Sequence, residues 1–403
     1  MKVFDGGALA AKGYRAAAVS AGIKSKPGAL DVGIIVSDLP ATAAGCFTTN
    51  RVCSAAVTWS RAVARRGKAR AVLVNSGNAN ACTGERGDAD ARECAARVAS
   101  LLSLQPFEVF VASTGIIGHP LPMEKMRHGI DAAVAALARS REVDKSMARA
   151  IMTTDTVPKA RAARVKLSGG AVTVGGIAKG SGMISPKMGT MLSFITTDAA
   201  VSAPLLRQTL RDVAKRTFNR LTVDGDTSTN DTLVLLANGA AGAPAITKPG
   251  RDLEAFAEGL EAVARSLVEA LARDGEGATR LIVVTVSSAK TEAEADVVAR
   301  TIANSPLVKC AVHGGDPNWG RIVCAAGYSG AAVEPKRMNL RIGGVKVFAA
   351  GLPVKAPAKA LAKAMGGKEV FINLDLGRGQ AQATMWTCDY SRAYIDINAD
   401  YHT

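Results

Sequence analysis

The chain has 403 residues, 48% apolar but only 4% aromatic, which allows a sizeable core built on Ala, Val, Leu and Ile and excludes a disordered chain. Its net charge of +15 is uneven: residues 1–189 carry 26 basic and 13 acidic side chains, whereas residues 190–403 carry 24 and 22. The basic residues are scattered and aromatics for base stacking are scarce, so small anionic ligands are favoured over nucleic acid, and no apolar run approaches the roughly 18 residues of a membrane span.

Asp5, Lys12 and Arg15 interrupt the opening stretch, which therefore lacks the apolar continuity of a secretory signal. Seven cysteines (46, 53, 82, 94, 310, 324 and 388) form no C-x-x-C pair and predict reduced, small core residues. The expectation is a soluble, cytoplasmic protein of two or three domains, without membrane or nucleic-acid partners.

In chain order, short β-branched runs ending in Gly, Ser, Asn or Asp predict strands at 32–38 and 71–77, followed by a helix at 88–102. A strand at 108–114 and a helix at 129–140 come next. The run "TMLSFITT" (190–197) is strand-like and precedes a helix at 202–218 and a strand at 232–239. The clearest helix is 252–273, where Leu253, Phe256, Leu260, Val263, Leu267 and Leu271 recur every three or four residues. Beyond it lie a strand at 281–288, helices at 291–303 and 355–365, and strands at 370–376 and 393–399. This alternation predicts an α/β or α+β fold. "GEGATR" (275–280) separates the long helix from a new strand–helix pattern, giving expected domains of 1–280 and 281–403.

Several chemistries are excluded. Histidines 119, 128, 313 and 402 form no H-x-x-x-H pair, so a zinc hydrolase site is not expected and no metal is predicted. G-x-S-x-G and G-x-x-x-x-G-K-[ST] are absent, and "GGIAKGSG" alone is a weak nucleotide signal. The unusual stretch is 175–200, where Lys179, several glycines and Pro186 precede a Gly189–Thr190 bond. It reads either as a glycine loop entering a buried strand or as a self-processing site. In the second case Thr190 Oγ attacks the Gly189 carbonyl, an N→O acyl shift and hydrolysis follow, and the freed α-amine of Thr190 becomes its own base. A free α-amine has a pKa of about 8, within reach of neutral pH after a small depression by burial or Lys179.

Nine motifs then point one way: "AAGCFTTN" (43–50), "NSGNANACTG" (75–84), "STGIIG" (113–118), "IMTTDT" (151–156) and "KGSGMISPKMGTML" (179–192), followed by "DGDTSTNDT" (224–232), "GEGATR" (275–280), "GGDPNWGRI" (314–322) and "INADYHT" (397–403). In this order, end to end, the chain resembles the ornithine acetyltransferase family (glutamate N-acetyltransferases of arginine biosynthesis), self-cleaving enzymes with an N-terminal threonine nucleophile. One departure is Gly189, where that family usually has Ala.

The resemblance implies an αββα sandwich of the aminopeptidase/ornithine acetyltransferase type with a smaller C-terminal α/β domain. It also implies cleavage into an α chain (1–189) and a β chain (190–403) that assemble as α2β2. Thr190 would accept the acetyl group of N-acetylornithine and pass it to glutamate, with Thr114 and Gly115 stabilising the oxyanion. Thr153 matches a substrate-binding threonine, although Thr154 could serve equally by chemistry. Lys179 would meet a substrate carboxylate or lower the pKa of the Thr190 amine, and Glu276 would meet the substrate amine. Asn398 and Thr403 would reach the pocket from a C-terminal tail folded back on the site. No bound cofactor is implied; acetyl-CoA as a second acetyl donor stays open.

Asp316, Trp319 and Arg321 read as a turn stapled by an Asp–Arg pair with the Trp packed on it, and "NSGNANACTG" as a turn near the site. Two other readings remain: an aminopeptidase or amidase of the same scaffold, in which water takes the acyl group, and a basic nucleic-acid-binding protein without catalysis.

Overall fold

The computed structural model describes residues 1–185 and 191–400. Gly189, Thr190 and Thr403 of the expected site lie outside the described residues. Among those described, nine strands form the first sheet: β1 (Val3–Phe4), β2 (Tyr14–Val19), β3 (Val32–Phe47), β4 (Lys68–Asn78), β5 (Val109–Ile116), β6 (Lys159–Leu167), β7 (Gly170–Lys179), β8 (Leu192–Thr197) and β9 (Thr232–Ala237). Six helices accompany them: α1 (Ala55–Arg66), α2 (Gly84–Leu102), α3 (Met123–Ala135), α4 (Arg141–Ala150), α5 (Ala203–Arg216) and α6 (Arg251–Arg273).

The long strand β3 is the corner of this sheet. Its first half pairs with β2 and β4, its second half (Thr42–Phe47) pairs with β9, and the register shifts between Val36 and Ala41. The strands therefore fold into two facing layers, and alternate residues show which way each layer looks. Val72, Val74, Phe110 and Ala112 share one buried core with Leu192, Phe194, Val234 and Leu236. Their neighbours Ala71, Leu73, Val109 and Val111 turn outward against α2 and α3. Ile195, Leu233 and Leu235 turn the other way, against α5 and α6. The layers run helix, sheet, sheet, helix, as the αββα expectation requires. Tyr14 fastens the two layers, its hydroxyl lying 3.0 and 2.9 Å from the carbonyl oxygens of Thr197 and Leu236 and shared between them.

The apolar stripe of α6 performs as its spacing predicts, with Phe256, Leu260, Val263, Leu267 and Leu271 all buried. Each such side chain contributes up to about 1.5–3 kcal/mol of transfer free energy. The helix ends at Asp274, and the chain enters a second sheet formed by β10 (Leu281–Ala289), β11 (Asn339–Ile342), β12 (Val345–Ala349), β13 (Leu352–Pro353), β14 (Glu369–Asp375) and β15 (Ala381–Cys388), in the order β13-β12-β11-β14-β10-β15. Helices α7 (Glu292–Asn304), α8 (Pro306–His313), α9 (Trp319–Gly327) and α10 (Ala358–Gly366) accompany this sheet, which has its own core, and α11 (Arg392–Asp400) follows. No helix among the described residues is long and apolar enough to cross a membrane.

Four expectations need correction. Residues 393–399 are not a strand but most of α11. The β-branched run meets no sheet edge there: Ile395 is exposed, while Tyr394 stacks on Tyr390 with ring centroids 4.8 Å apart. The helix predicted at 129–140 starts and ends earlier, at 123 and 135, because Ala138 is captured by β2 through reciprocal backbone bonds with Ala16. Asp316 and Arg321 do not pair. Asp316 accepts from Asn318, Arg321 donates to the carbonyl of Leu307, and only the Trp319 packing on Phe348 holds. The cysteines are free, but Cys82, Cys310 and Cys324 are exposed rather than in the core.

Candidate active site

Strands β4 and β5 run parallel and end side by side at Gly77 and Gly115. Gly115 has φ +132°, and a Cβ there would stand 2.3 Å from the Gly77 carbonyl carbon, so only glycine lets the two strand ends close. The adjoining "NSGNANACTG" segment is a polar brace. Ser113 Oγ donates to Asn75 Oδ1 (2.6 Å), Asn75 Nδ2 to the Asn78 carbonyl (2.8 Å), and Asn230 Nδ2 to the carbonyls of Ala79 and Ser113 (2.7 and 2.8 Å). These buried amides are satisfied by structure, and they fix where Thr114 sits.

Lys179 closes β7 opposite Leu192 of β8. It is no surface lysine: it is 4% exposed, and its Nζ donates to Thr114 Oγ1 at 2.6 Å. With an oxygen lone pair engaged by the ammonium, the Thr114 hydroxyl hydrogen is left to point elsewhere. Burial lowers the pKa of Lys179, against the opposing pull of Asp155 and Asp231.

Beneath this pair lies an ion triad absent from the sequence-based site. Lys159 Nζ donates to Asp155 Oδ1 and Asp274 Oδ2, both at 2.6 Å, with all three side chains nearly inaccessible. Asp155 also accepts from the Gly180 amide at 2.7 Å, and Asp274 accepts from the Thr156 amide at 3.0 Å. One buried cation thus ties together the loop after Lys179, the Thr153–Thr154 loop and the end of α6. The signal was present in "DTVPK", an acid and a lysine four apart, but Asp274 is 115 residues away.

Glu276 follows from that same turn. Its amide donates to the Ser181 carbonyl at 2.8 Å, and its carboxylate accepts from Asn398 Nδ2 at 3.0 Å. A Cβ on Gly182 would fall 2.1 Å from Glu276 Oε2, so the glycine makes room for the carboxylate. The tail does fold back: Ser391 Oγ donates to the Gly277 carbonyl at 2.6 Å, which sets α11 over the turn and delivers Asn398.

Thr114, Gly115, Thr153, Lys179, Glu276 and Asn398 line one cavity of about 140 Å³. Thr154 lines it too, so the geometry leaves Thr153 and Thr154 on equal terms. A further residue absent from the expected site is Asp231, whose Oδ1 accepts from the Met191 amide at 2.9 Å, while the Thr232 amide donates to the Met191 carbonyl at 3.0 Å. Residue 191, next after the expected nucleophile, is therefore held on both sides. Burial pushes the Asp231 carboxyl well above the usual range, against the Met191 amide and Lys179. Among the described residues no group of three or more His, Cys, Asp or Glu side chains could hold a metal ion.

The triad makes a pH prediction. Burial pushes the Asp155 carboxyl up, but Lys159 and Lys179 outweigh it and hold its pKa below the ordinary 3.8. A depressed carboxylate stabilises the fold above its unfolded pKa, and that contribution fades as pH falls through the folded value. Asp155→Asn is expected to cost about 2–3 kcal/mol at pH 7, because Lys159 keeps only Asp274. The gap to wild type should narrow below about pH 4. Urea titrations of both proteins at pH 7 and pH 3 check this; an unchanged gap would assign Asp155 no ionic role.

The ArgJ family model matches residues 15–403. The curated arginine biosynthesis bifunctional protein ArgJ of Symbiobacterium thermophilum is 49% identical over 404 residues, covering 100% of each chain. That of Geobacter sulfurreducens is 48% identical over 393 residues, covering 97% of this chain and 99% of the relative. The crystal structure of arginine biosynthesis bifunctional protein ArgJ from Bacillus halodurans superposes with a TM-score of 0.51 at 40% identity, covering 53% of this chain and 100% of that one. Matched by the family model over residues 15–403 and by curated relatives over nearly its whole length, the chain belongs to the ArgJ family.

Proposed function

We propose that this chain is a glutamate N-acetyltransferase of arginine biosynthesis that carries acetyl groups on Thr190, from N2-acetylornithine or acetyl-CoA to glutamate. The observation that carries the reading is the single small cavity in which the Lys179–Thr114 pair and the Gly115 strand end face the Glu276–Asn398 pair. A cation with hydroxyl and backbone donors suits a carboxylate or oxyanion, and a carboxylate suits an α- or δ-ammonium group. Donor and acceptor amino acids alike present these charges.

In the first half-reaction Thr190 Oγ attacks the acetyl carbonyl and its proton passes to the Thr190 α-amine. The Thr114 hydroxyl and Gly115 amide take the oxyanion. The C–N bond breaks, the departing ornithine amine receives the proton, and an acetyl ester remains on Thr190. In the second, the glutamate amine attacks that ester, the oxygen returns to Thr190 with a proton, and N-acetylglutamate leaves. The free amine requires prior cleavage after Gly189, giving chains 1–189 and 190–403, which we take to assemble as α2β2. The cleavage, though not the assembly, draws support from the Bacillus halodurans chain, which matches by its whole length over 53% of this chain, the share that residues 190–403 make up. We further assign 1–280 and 281–403 as domains, since the second sheet opens at Leu281 with a core of its own.

The test is kinetic. Because one cavity of this size holds donor and acceptor only in turn, initial-rate plots of N-acetylornithine against glutamate are expected to be parallel. Without glutamate, the β chain should gain one acetyl group by intact mass. Intersecting plots with no adduct would remove the acetyl-Thr190 step, and acetate release indifferent to glutamate would instead favour an amidase.

A further inference from the structure

The cavity at the candidate site, at about 140 Å³, has no room for a nucleotide. It shares Gly115, Thr153 and Thr154 with a far larger cleft of about 1320 Å³, above the roughly 300–1,000 Å³ usual for cofactor sites. The loop 22–30, Lys125 and Arg149 also line this cleft. Four cations, Lys24, Lys26, Lys125 and Arg149, line it, and no Asp or Glu does.

Another large groove, about 670 Å³, is also rich in arginine, yet there Arg216, Arg220 and Arg273 are each met by a glutamate. In the cleft beside the site the cations are left for something else. Lys24 and Lys125 are oriented by backbone carbonyls, of Leu30 (2.8 Å) and Gly22 (2.6 Å). The side chains of Lys26 and Arg149 make no ion pair or hydrogen bond among the described residues. The loop that carries Lys24 and Lys26 is itself braced from beneath, because the buried Asp31 carboxylate accepts from the amides of Ala21, Ile23 and Lys24 at 2.6, 2.6 and 3.1 Å.

We infer that this cleft is the seat of the phosphorylated nucleotide of acetyl-CoA, with Lys24, Lys26, Lys125 and Arg149 on its phosphates and the pantetheine arm running past Gly115 and Thr153 into the cavity. The inference rests on the two-donor reading above. In the step it serves, the thioester C–S bond breaks as the acetyl carbon bonds to Thr190 Oγ. The proton that leaves the hydroxyl ends on the departing thiolate, giving CoA-SH and acetyl-Thr190. The charges that hold the nucleotide touch neither ornithine nor glutamate, so the two donors are separable by mutation.

The experiment is the double variant Lys26→Glu/Arg149→Glu, both residues being exposed, assayed in the cleaved enzyme with three donors. For acetyl-CoA the KM is expected to rise at least about tenfold, and wild-type KM should rise with salt, since phosphate contacts at exposed lysines are screened. For N-acetylornithine, and for acetyl-pantetheine, which carries the thioester without phosphates, KM should stay within about twofold. Equal rises for all three donors, or none for acetyl-CoA, overturn the site while acetyl-CoA use by the wild type stands. A wild type that turns over N-acetylornithine but makes no acetylglutamate from acetyl-CoA would instead overturn the two-donor reading, and the site with it.

Discussion

Thr190→Ala is expected to yield one uncut chain of 41.5 kDa with no transfer activity, whereas the wild type should resolve into two fragments, the second beginning Thr-Met-Leu-Ser. The reason is chemical. In the mechanism proposed above, cleavage needs a hydroxyl to attack the Gly189 carbonyl, and transfer needs both that hydroxyl and the α-amine that cleavage exposes, so one substitution would remove two reactions. Asp231 and Thr232 bind the backbone of Met191 on both sides, so the variant should fold with the strand after the cut site still in place. Intact mass and a thermal melt distinguish the outcomes. A full-length mass for the active wild type would end the N-terminal-nucleophile mechanism.

The second large effect belongs to Thr114 and Lys179. Thr114→Val preserves shape and removes the hydroxyl, and kcat is expected to fall about 100–1,000-fold with KM little changed, as for loss of one oxyanion donor. Lys179→Met should fall by a similar factor of about 100, because the ammonium that holds Thr114 Oγ1 at 2.6 Å is gone. The pair should be strongly non-additive, since the two groups act through one hydrogen bond. The pH profile supplies an independent check. Burial lowers the Lys179 pKa, so its charge is lost at lower pH than that of a free lysine. Wild-type turnover should therefore fall on the alkaline side as pH rises through that depressed value, and this limb should be missing in Lys179→Met. If Thr114→Val turns over like wild type, the oxyanion lies elsewhere.

What the sequence by itself determined was local chemistry and period. The 3.6-residue stripe of α6 and the apolar runs of β4, β5, β9 and β10 could be read because each depends on neighbours within a few positions, and the motifs carried a family resemblance. Thr114, Lys179, Glu276 and Asn398 were named by the family resemblance that those motifs carry, and the fold brings them together around one cavity. What only the tertiary structure decided depends on partners far along the chain. Strand β3 runs on to Phe47 because its bend hands it from β2 to β9, an exchange no window of ten residues contains. The charged strand β6 (KARAARVKL) exists because β1 and β7 flank it, and the β-branched run at 393–399 is a helix because no sheet edge is offered to it. The same holds in the site. The bond from Lys179 to Thr114 spans 65 residues and that from Lys159 to Asp274 spans 115. A buried charge is tolerable only beside its counter-charge, and where that partner lies is set by the packing of the layers.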